Sequence, residues 1–479
     1  MHTRAAEAPT AAGAPTGAGA PTVAGARTVA GARTVAGVQT VAEPGPSRTP
    51  ARARRVRPEG HRRGPLARPD ASDAPPGSIV LIGGGLAAAS TAQGLRDRGF
   101  DGSVVIIGDE PNPPYERPPL SKTYLSEHAA ADELTLLDAD RAAELELTIR
   151  TGERADALDR GAGEVVLESG HRIAADAVLL ATGGTARTLP RLSGEHVHTL
   201  RTRADAERLR ATLGSAERLL LVGFGFVGAE VAATARAFGV EVTAVEVDGH
   251  PFARVLGGEV AEALLSRHRE AGVDLRTRTT VEACDPTREG VLAELSDGSR
   301  VEATAVLVGV GMAPSTGLAA DAGLDVDDGV VCDASGRSSL PGVWAAGDVA
   351  RWEHPLHGAV RVEHYDTALR HGEVVAASIL GGSETYEEPH WFWTDQHEQR
   401  LQVAGVTADA DDVVVHGPDH EGRLLAFYRS GEVVCAVAGI DRTRDVRGGR
   451  RLVTARATPS RSELADPDVD LRALARAHR

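Results

Sequence analysis

The chain runs to 479 residues, of which 42% are hydrophobic but only 3% aromatic, and it carries a formal net charge of −16. That length allows two or three domains with cores of their own, and its longest apolar runs, such as 219–229, are broken by charge well short of a membrane span. No transmembrane helix is expected, and neither a membrane nor a nucleic acid is expected as a partner.

Residues 1–77 differ in composition from the rest, being built mainly of Ala, Gly, Pro, Thr and Arg. A short repeat, TVAGAR at 22–27 and again at 28–33, decays over 34–39. The segment holds 11 Arg against 5 acidic residues, so the acidic excess belongs to the remainder. Such a segment buries too little apolar surface to offset its ordering entropy, and a disordered low-complexity extension is expected. It lacks the apolar core of a secretory signal. Three cysteines, Cys284, Cys332 and Cys435, are far apart and odd in number, which argues against a disulfide framework and fits a reducing cytoplasm.

An apolar run at 79–82 predicts a strand feeding the turn Gly83-Gly84-Gly85-Leu86-Ala87-Ala88 and a helix beyond it. This is G-x-G-x-x-A: Gly83 permits the tight turn, Gly85 lets backbone approach a pyrophosphate, and Ala88 lets helix and strand pack closely. The helix N-terminus then offers unpaired N–H groups to the phosphates. A second strand at 103–107 ends at Gly108-Asp109-Glu110, where a carboxylate accepts from ribose hydroxyls. A Pro-rich loop at 111–120 follows, then a helix-like stretch at 132–145. A β-meander through 152–158 and 163–167 turns at Ser169-Gly170 into a strand at 177–180 that ends at Ala181-Thr182-Gly183.

After a connector and a polar helix at 205–213, the pattern returns. A strand at 219–222 feeds Gly223-Phe224-Gly225-Phe226-Val227-Gly228, and the strand at 240–245 ends in Glu246. G-x-G-x-x-G alone is a weak signal, but here strand, turn, helix and an acid some twenty residues on occur in order. Glu246 would repel a 2′-phosphate, and no Arg stands at 247–250, so NADH is favoured over NADPH. Paired dinucleotide sites imply an enzyme that passes electrons from a nicotinamide to a flavin. A second meander turns at Asp297-Gly298, and a strand at 342–346 ends at Gly347-Asp348. From 388 the pattern becomes alternating and β-like, with a helix at 471–477, which suggests a separate α+β domain.

In order, the motifs are Gly83-x-Gly85, Pro114-Tyr115-x-Arg117-Pro118-Pro119-Leu120-Ser121-Lys122, Ala181-Thr182-Gly183, Gly223-x-Gly225-x-x-Gly228-x-Glu230, Gly347-Asp348 and Trp391-Phe392-Trp393-x-Asp395-Gln396. Together they resemble the FAD-dependent ferredoxin reductases of the putidaredoxin reductase and ring-hydroxylating dioxygenase type, with apoptosis-inducing factor a more distant cousin. The resemblance covers roughly residue 78 to the C-terminus. It implies an α/β, glutathione-reductase-like fold of two Rossmann-like domains plus an α+β C-terminal domain. FAD would occupy 78–190 and 312–387, NAD 191–311, and an interface domain 388–479. It also implies hydride transfer from NADH to FAD and release of single electrons to a [2Fe-2S] ferredoxin or a rubredoxin, in the service of a cytochrome P450 or a ring-hydroxylating oxygenase. No protein nucleophile is needed, because the cofactor carries the chemistry.

By the same resemblance, Ala87 and Asp109 contact the FAD pyrophosphate and ribose, and Arg117 and Lys122 the pyrophosphate side and the isoalloxazine. The backbone of Ala155 meets the adenine, Arg201 the flavin region, Asp348 the ribityl chain and Tyr365 the pyrimidine edge of the ring, while Trp393 belongs to the cofactor set through its motif. Lys122 and Glu230 correspond to a catalytic pair near flavin N5, a cation for the anionic reduced ring and a carboxylate to hold it. The chain departs from the usual pattern at Gly311-Met312-Ala313-Pro314-Ser315, where the family has Gly-x-Arg-Pro-Asn, and at Tyr365, where Trp is common.

Arginines at 400, 423, 429, 442, 444, 447, 450 and 451 crowd the final domain, where they are read either as a steering surface for an acidic ferredoxin or as a solvated face. Among 17 histidines, His364, His371, His390 and His397 show no metal-ligand spacing, and no metal is assigned. A competing reading is a redox-responsive flavoprotein that acts through NADH-dependent conformation or partner binding. A disulfide or peroxide reductase is disfavoured, because no Cys pair stands near either turn.

Overall fold

The computed structural model describes residues 76–126 and 129–478. The expected disorder of the N-terminal extension therefore lies outside the described residues up to position 75.

β1 (Ser78–Ile82) is a run of apolar residues in which Ile79, Val80 and Leu81 are completely buried, as a strand covered on both faces requires. Past the Gly83 turn the chain forms α1 (Leu86–Asp97) and returns as β2 (Ser103–Gly108), parallel to β1. β3 (Leu147–Thr151) pairs with β2, and β4 (Ala177–Leu180) pairs with β1 on its other edge. The stretch 132–145, expected as one helix, is two short pieces, a 3-10 turn Asp132–Leu134 and a helix Ala139–Glu144. Leu136 N–H donates to the Pro114 carbonyl at 2.8 Å and holds the intervening backbone extended. Asp138 then caps the second piece by accepting from Arg141 N–H.

The same plan repeats with β5 (Arg218–Val222), α2 (Phe226–Ala237), β6 (Glu241–Glu246), α3 (Ala253–Glu270), β7 (Val273–Thr277) and β8 (Ala305–Val308). Its parallel sheet has the order β7-β6-β5-β8, with the short strand Val197–His198 at the β8 edge. A two-stranded antiparallel ribbon, Gly184–Ala186 with Met312–Pro314, brackets this excursion. β9 (Val343–Ala345) then rejoins the first sheet beside β4, completing the order β9-β4-β1-β2-β3.

A hairpin of β10 (Ala350–His354) and β11 (Gly358–Arg361) leads into α4 (Tyr365–Ile379). Close packing of α4 on α1 rests on small residues, since a Cβ at Gly372 would stand 2.8 Å from the Ala87 carbonyl. The last layer is an antiparallel sheet of β12 (Trp391–Gln396), β13 (Gln399–Gly405), β14 (Asp412–His416), β15 (Leu424–Ser430) and β16 (Val433–Ile440), in the order β12-β13-β16-β15-β14. α5 (Thr443–Thr454) covers one face. The other face shares a core with α2 and α3, in which Leu401, Ala426 and Tyr428 join Leu256, Val260 and Ala232. The architecture is thus α/β with two Rossmann-like units and an α+β C-terminal layer, and the C-terminal sheet packs directly onto the second unit.

Candidate functional site

Both glycine turns solve the same steric problem. Gly83 has φ +133, and a Cβ there would lie 2.1 Å from the Ala181 carbonyl at the end of β4. Gly223 has φ +95, and its Cβ would lie 2.6 Å from the Gly309 carbonyl just past β8. At each first glycine, therefore, the backbone crosses hard against the neighbouring strand end. The middle glycines are the opposite case, because a Cβ on Gly85 or Gly225 would meet nothing within 4 Å. Each of these is the N-cap of a 12-residue helix with no side-chain cap and no acid in the first turn. The first N–H groups of α1 and α2 are left for a ligand, and the helix dipole makes an anion the favoured one.

One cavity of about 1110 Å³ runs between the two turns. Its wall includes Gly83, Gly85, Ala87, Asp109, Arg117, Lys122, Ala155, Ala181, Thr182, Gly183 and Arg201 from the first unit and its connector. Gly223, Gly225, Glu230 and Glu246 come from the second unit, and Gly347, Asp348, Tyr365 and Trp393 from the returning segment and C-terminal sheet. Among the residues assigned to cofactor binding, only Gly228 is off the wall. A Cβ there would meet the Gly223 carbonyl at 2.5 Å, so its task is helix-to-strand packing. Open glycine turns, uncapped helices and a cavity long enough to join them fit two nucleotides lying end to end.

Charged pairs stand along this wall. Lys122 Nζ lies 2.8 Å from Glu230 Oε2, and both side chains are largely buried. Glu230 further accepts from the hydroxyls of Ser121 and, at 2.6 Å, Thr394. Arg201 reaches Asp348 at 2.6 Å and the Gly184 carbonyl at 3.1 Å. Arg117 donates to Glu110 at 2.8 Å, to the Tyr115 hydroxyl at 3.0 Å and to the Arg201 carbonyl at 2.8 Å, and it sits over the Tyr115 ring. Burial, with Glu110 beside it, pushes the Tyr115 hydroxyl above its ordinary range, so it stays a neutral donor to that carboxylate. The Tyr365 hydroxyl donates to Glu116 at 2.6 Å, and its ring stands edge-on to Trp393 with centroids 5.6 Å apart.

Three features of the site were not legible in the sequence. Glu246 is only 4% exposed, and both of its oxygens are engaged by its own turn, accepting from Phe224 N–H at 2.7 Å and Asp248 N–H at 2.9 Å. Arg254, eight positions after Glu246, reaches the same wall. Finally, the Glu230 network continues inward. Gln396 donates to Thr394 at 3.0 Å, His268 Nε2 meets Gln396 Oε1 at 2.8 Å, and His397 Nε2 meets His268 Nδ1 at 2.9 Å. Because a carboxamide oxygen only accepts, His268 carries its proton on Nε2 and accepts a hydrogen bond at Nδ1 from His397 Nε2–H, so each donor of this network points toward Glu230. Gln396 belonged to the quoted motif, but nothing local marked His268, which meets it across 128 positions. An aromatic cluster, with Phe226 stacked on Phe252 and tilted against Phe392 at centroid distances of 5.1 Å each, lies beside the second turn.

The family described as pyridine nucleotide-disulphide oxidoreductase matches residues 77–372, and that described as reductase C-terminal matches residues 391–475. Rhodocoxin reductase of Rhodococcus erythropolis is 38% identical over 408 residues, which cover 83% of this chain and 95% of that protein. The ferredoxin–NAD(+) reductase component of the anthranilate 1,2-dioxygenase system of Burkholderia cepacia is 36% identical, over 82% of this chain and 98% of its own. Among solved structures, the covalent putidaredoxin reductase–putidaredoxin complex superposes with a TM-score of 0.80 at 34% identity, covering 84% of this chain and 98% of that one.

Proposed function

Since the chain belongs to the pyridine nucleotide-disulphide oxidoreductase family, we propose that it is a cytoplasmic FAD-dependent NADH:ferredoxin oxidoreductase that supplies a cytochrome P450 or a ring-hydroxylating oxygenase. The related proteins named above are reductases that work beside a ferredoxin or a dioxygenase. The disulfide chemistry of the wider family has no counterpart, because Cys284, Cys332 and Cys435 are all unpaired and only Cys435 reaches the cavity. When bound, the flavin accepts a hydride from NADH and gives up its electrons singly to the iron-sulfur partner.

The single observation that carries this reading is the placement of the Lys122–Glu230 pair on the one wall that joins both glycine turns. Residues 78–190 and 312–387 hold the FAD, with its pyrophosphate on the α1 N-terminus between Gly83, Gly85 and Ala87. Asp109 takes the ribose, Ala155 the adenine, and Arg117 the pyrophosphate side. Residues 191–311 hold the nicotinamide nucleotide on the α2 N-terminus at Gly223 and Gly225, and residues 388–479 close the site from above. Lys122 supplies a fixed positive charge at the ring edge, and Glu230, held by Ser121 and Thr394, keeps that ammonium aimed. Arg201 and Asp348 orient one another toward the sugar chain, Tyr365 faces the pyrimidine edge, and Trp393 screens it from water. Ala181, Thr182, Gly183 and Gly347 give the floor its shape, Thr182 by donating to the Ser315 carbonyl.

The crowded arginines of the C-terminal layer divide into two groups. Arg400, Arg423, Arg429, Arg442 and Arg450 are each paired with a carboxylate. Arg444, Arg447 and Arg451 stand exposed along one face of α5 and form the positive surface toward an acidic ferredoxin. Purified protein is expected to be yellow, to bleach on addition of NADH, and to reduce cytochrome c only when a [2Fe-2S] ferredoxin is added. A colourless protein that takes up no FAD on reconstitution overturns the proposal.

A further inference from the structure

Three histidines meet where the β10–β11 hairpin underlies the approach to β12. His354 ends β10, His357 lies in the hairpin loop, and His390 directly precedes β12. Their ring centroids form a near-equilateral triangle with sides of 4.6, 4.6 and 4.7 Å. One ring nitrogen from each lies within 4.8 Å of the other two.

This cluster carries an unmet demand. His390 is 1% exposed, yet neither of its ring nitrogens has a hydrogen-bond partner, and His357 Nε2 also lacks one. Leaving a buried polar atom unpaired costs about 1–3 kcal/mol, so several in one place call for an occupant. A neutral imidazole offers one ring nitrogen's lone pair, and three such rings converge here, as ligation requires. His354 is also oriented. Its Nε2 donates to the Glu388 carbonyl at 3.0 Å, which leaves the lone pair on Nδ1, now facing Leu356 N–H at 3.1 Å. A backbone carbonyl holding the far nitrogen is the usual outer support of a ligating histidine.

We propose that His354, His357 and His390 form a binding site for a borderline divalent transition-metal ion of the zinc class. The ion clasps the β10–β11 hairpin to the start of the C-terminal sheet. An all-imidazole donor set selects such an ion over Mg²⁺ or Ca²⁺, which want oxygen. With metal–nitrogen bonds of about 2.0–2.1 Å, tetrahedral corners lie about 3.3 Å apart, so binding draws the rings together. His357 makes most of that movement because it is half-buried, in a loop, and on the cavity wall. His354 gives up the contact with Leu356 N–H. The fourth position is left to water on the cavity side. None of this depends on the flavin reading.

The test uses the full-length protein stripped with a chelator and titrated with Co²⁺ and with Zn²⁺. One equivalent of Co²⁺ is expected to produce visible ligand-field bands at wavelengths beyond the flavin absorption, which one equivalent of Zn²⁺ then abolishes. Zn²⁺ is also expected to raise the thermal unfolding midpoint. His357→Phe is expected to weaken Co²⁺ binding at least tenfold and to remove the Zn²⁺ effect on unfolding, and His390→Ala is expected to do the same if it folds. Absence of the bands in wild type, or equal bands and equal stabilisation in His357→Phe, overturns the proposal and leaves a water-filled polar pocket in its place.

Discussion

The two glycine turns are built alike and furnished differently. At the first, the carboxylate at the end of β2, Asp109, is exposed on the cavity wall and free to meet a sugar. At the second, the acid Glu246 stands one position nearer its strand, where the first unit has Gly108; it is buried, and it spends its oxygens on the N–H groups of Phe224 and Asp248. One acid faces the cavity, and the other shapes its own turn. The small residue closing each fingerprint differs as well. Ala88 is tolerated at the first turn, whereas Gly228 is required at the second because the Gly223 carbonyl lies 2.5 Å from where a Cβ would be. The sequence pattern is shared, but the distance between helix and strand end is set separately in each unit.

The sharpest way to separate the turns is through their glycines. Gly83→Val places side-chain carbon where the Ala181 carbonyl already is, and loss of folded, FAD-containing protein is expected. Gly85→Ala and Gly225→Ala have room for the methyl, so both variants should fold. The first is expected to purify with little flavin. The second should retain FAD and show a KM for NADH raised by at least tenfold. Flavin content by absorbance and KM by steady-state kinetics read the two effects. Matching defects in the two variants would break the assignment of one nucleotide to each turn.

Acid should loosen the contact between α3 and β12, one of several places where a buried histidine refuses a proton. His268 of α3 is fully buried against Gln396 of β12, and burial pushes its imidazole down to about 4. Between the ordinary histidine value near 6.5 and about 4, the unfolded chain binds a proton that the folded one refuses. This part of the stability is therefore complete above pH of about 6.5 and is lost as pH falls toward 4, by about 3 kcal/mol. Urea unfolding at pH 7.5 and 5 measures it. His268→Gln should flatten the pH dependence even if it lowers stability throughout.

Lys122→Ala is expected to slow flavin reduction by NADH about 10²-fold, the usual scale for removing one preorganised electrostatic group, and it strands Glu230 as a buried unpaired charge. Glu230→Gln keeps the shape and the Thr394 contact while freeing the ammonium, and a smaller defect is expected. Stopped-flow absorbance distinguishes the two. If Glu230→Gln proves the more damaging, the carboxylate rather than the cation governs the step.

What the sequence disclosed, and what it hid, follows from the range of the interactions. Strand, turn, helix and acid all fall within about thirty positions, and each is fixed by local sterics, so both turns and the strands expected at 79–82 and 219–222 were legible. The Lys122–Glu230 pair was available only through resemblance, because its partners are 108 positions apart. Arg201 with Asp348, across 147 positions, was likewise named residue by residue but not as a pair. The interrupted helix at 132–145 escaped notice because a tertiary contact to Pro114, not local propensity, holds its middle extended. The histidine triangle has spacings of 3 and 33, and only the packing of a hairpin under an approaching strand makes it a cluster.

Glu246 offers the smallest effect and the finest test of how the turns differ. The case for NADH over NADPH was that a carboxylate after the second strand of this unit repels a 2′-phosphate while accepting from a 2′-hydroxyl. In the structure the carboxylate is bound to its own turn, so its repulsion acts through space, while Arg254 stands on the same wall as a counterweight. If charge alone discriminates, Glu246→Gln should lower the preference for NADH over NADPH about tenfold, or about 1.4 kcal/mol, because the amide oxygen still accepts from one backbone N–H. If the acid matters mainly as a brace, the same variant should raise both KM values together and leave their ratio unchanged, since the turn itself would have shifted. Arg254→Ala then completes the square. It should worsen NADPH further in wild type, and it should reverse any gain made by Glu246→Gln only under the first account.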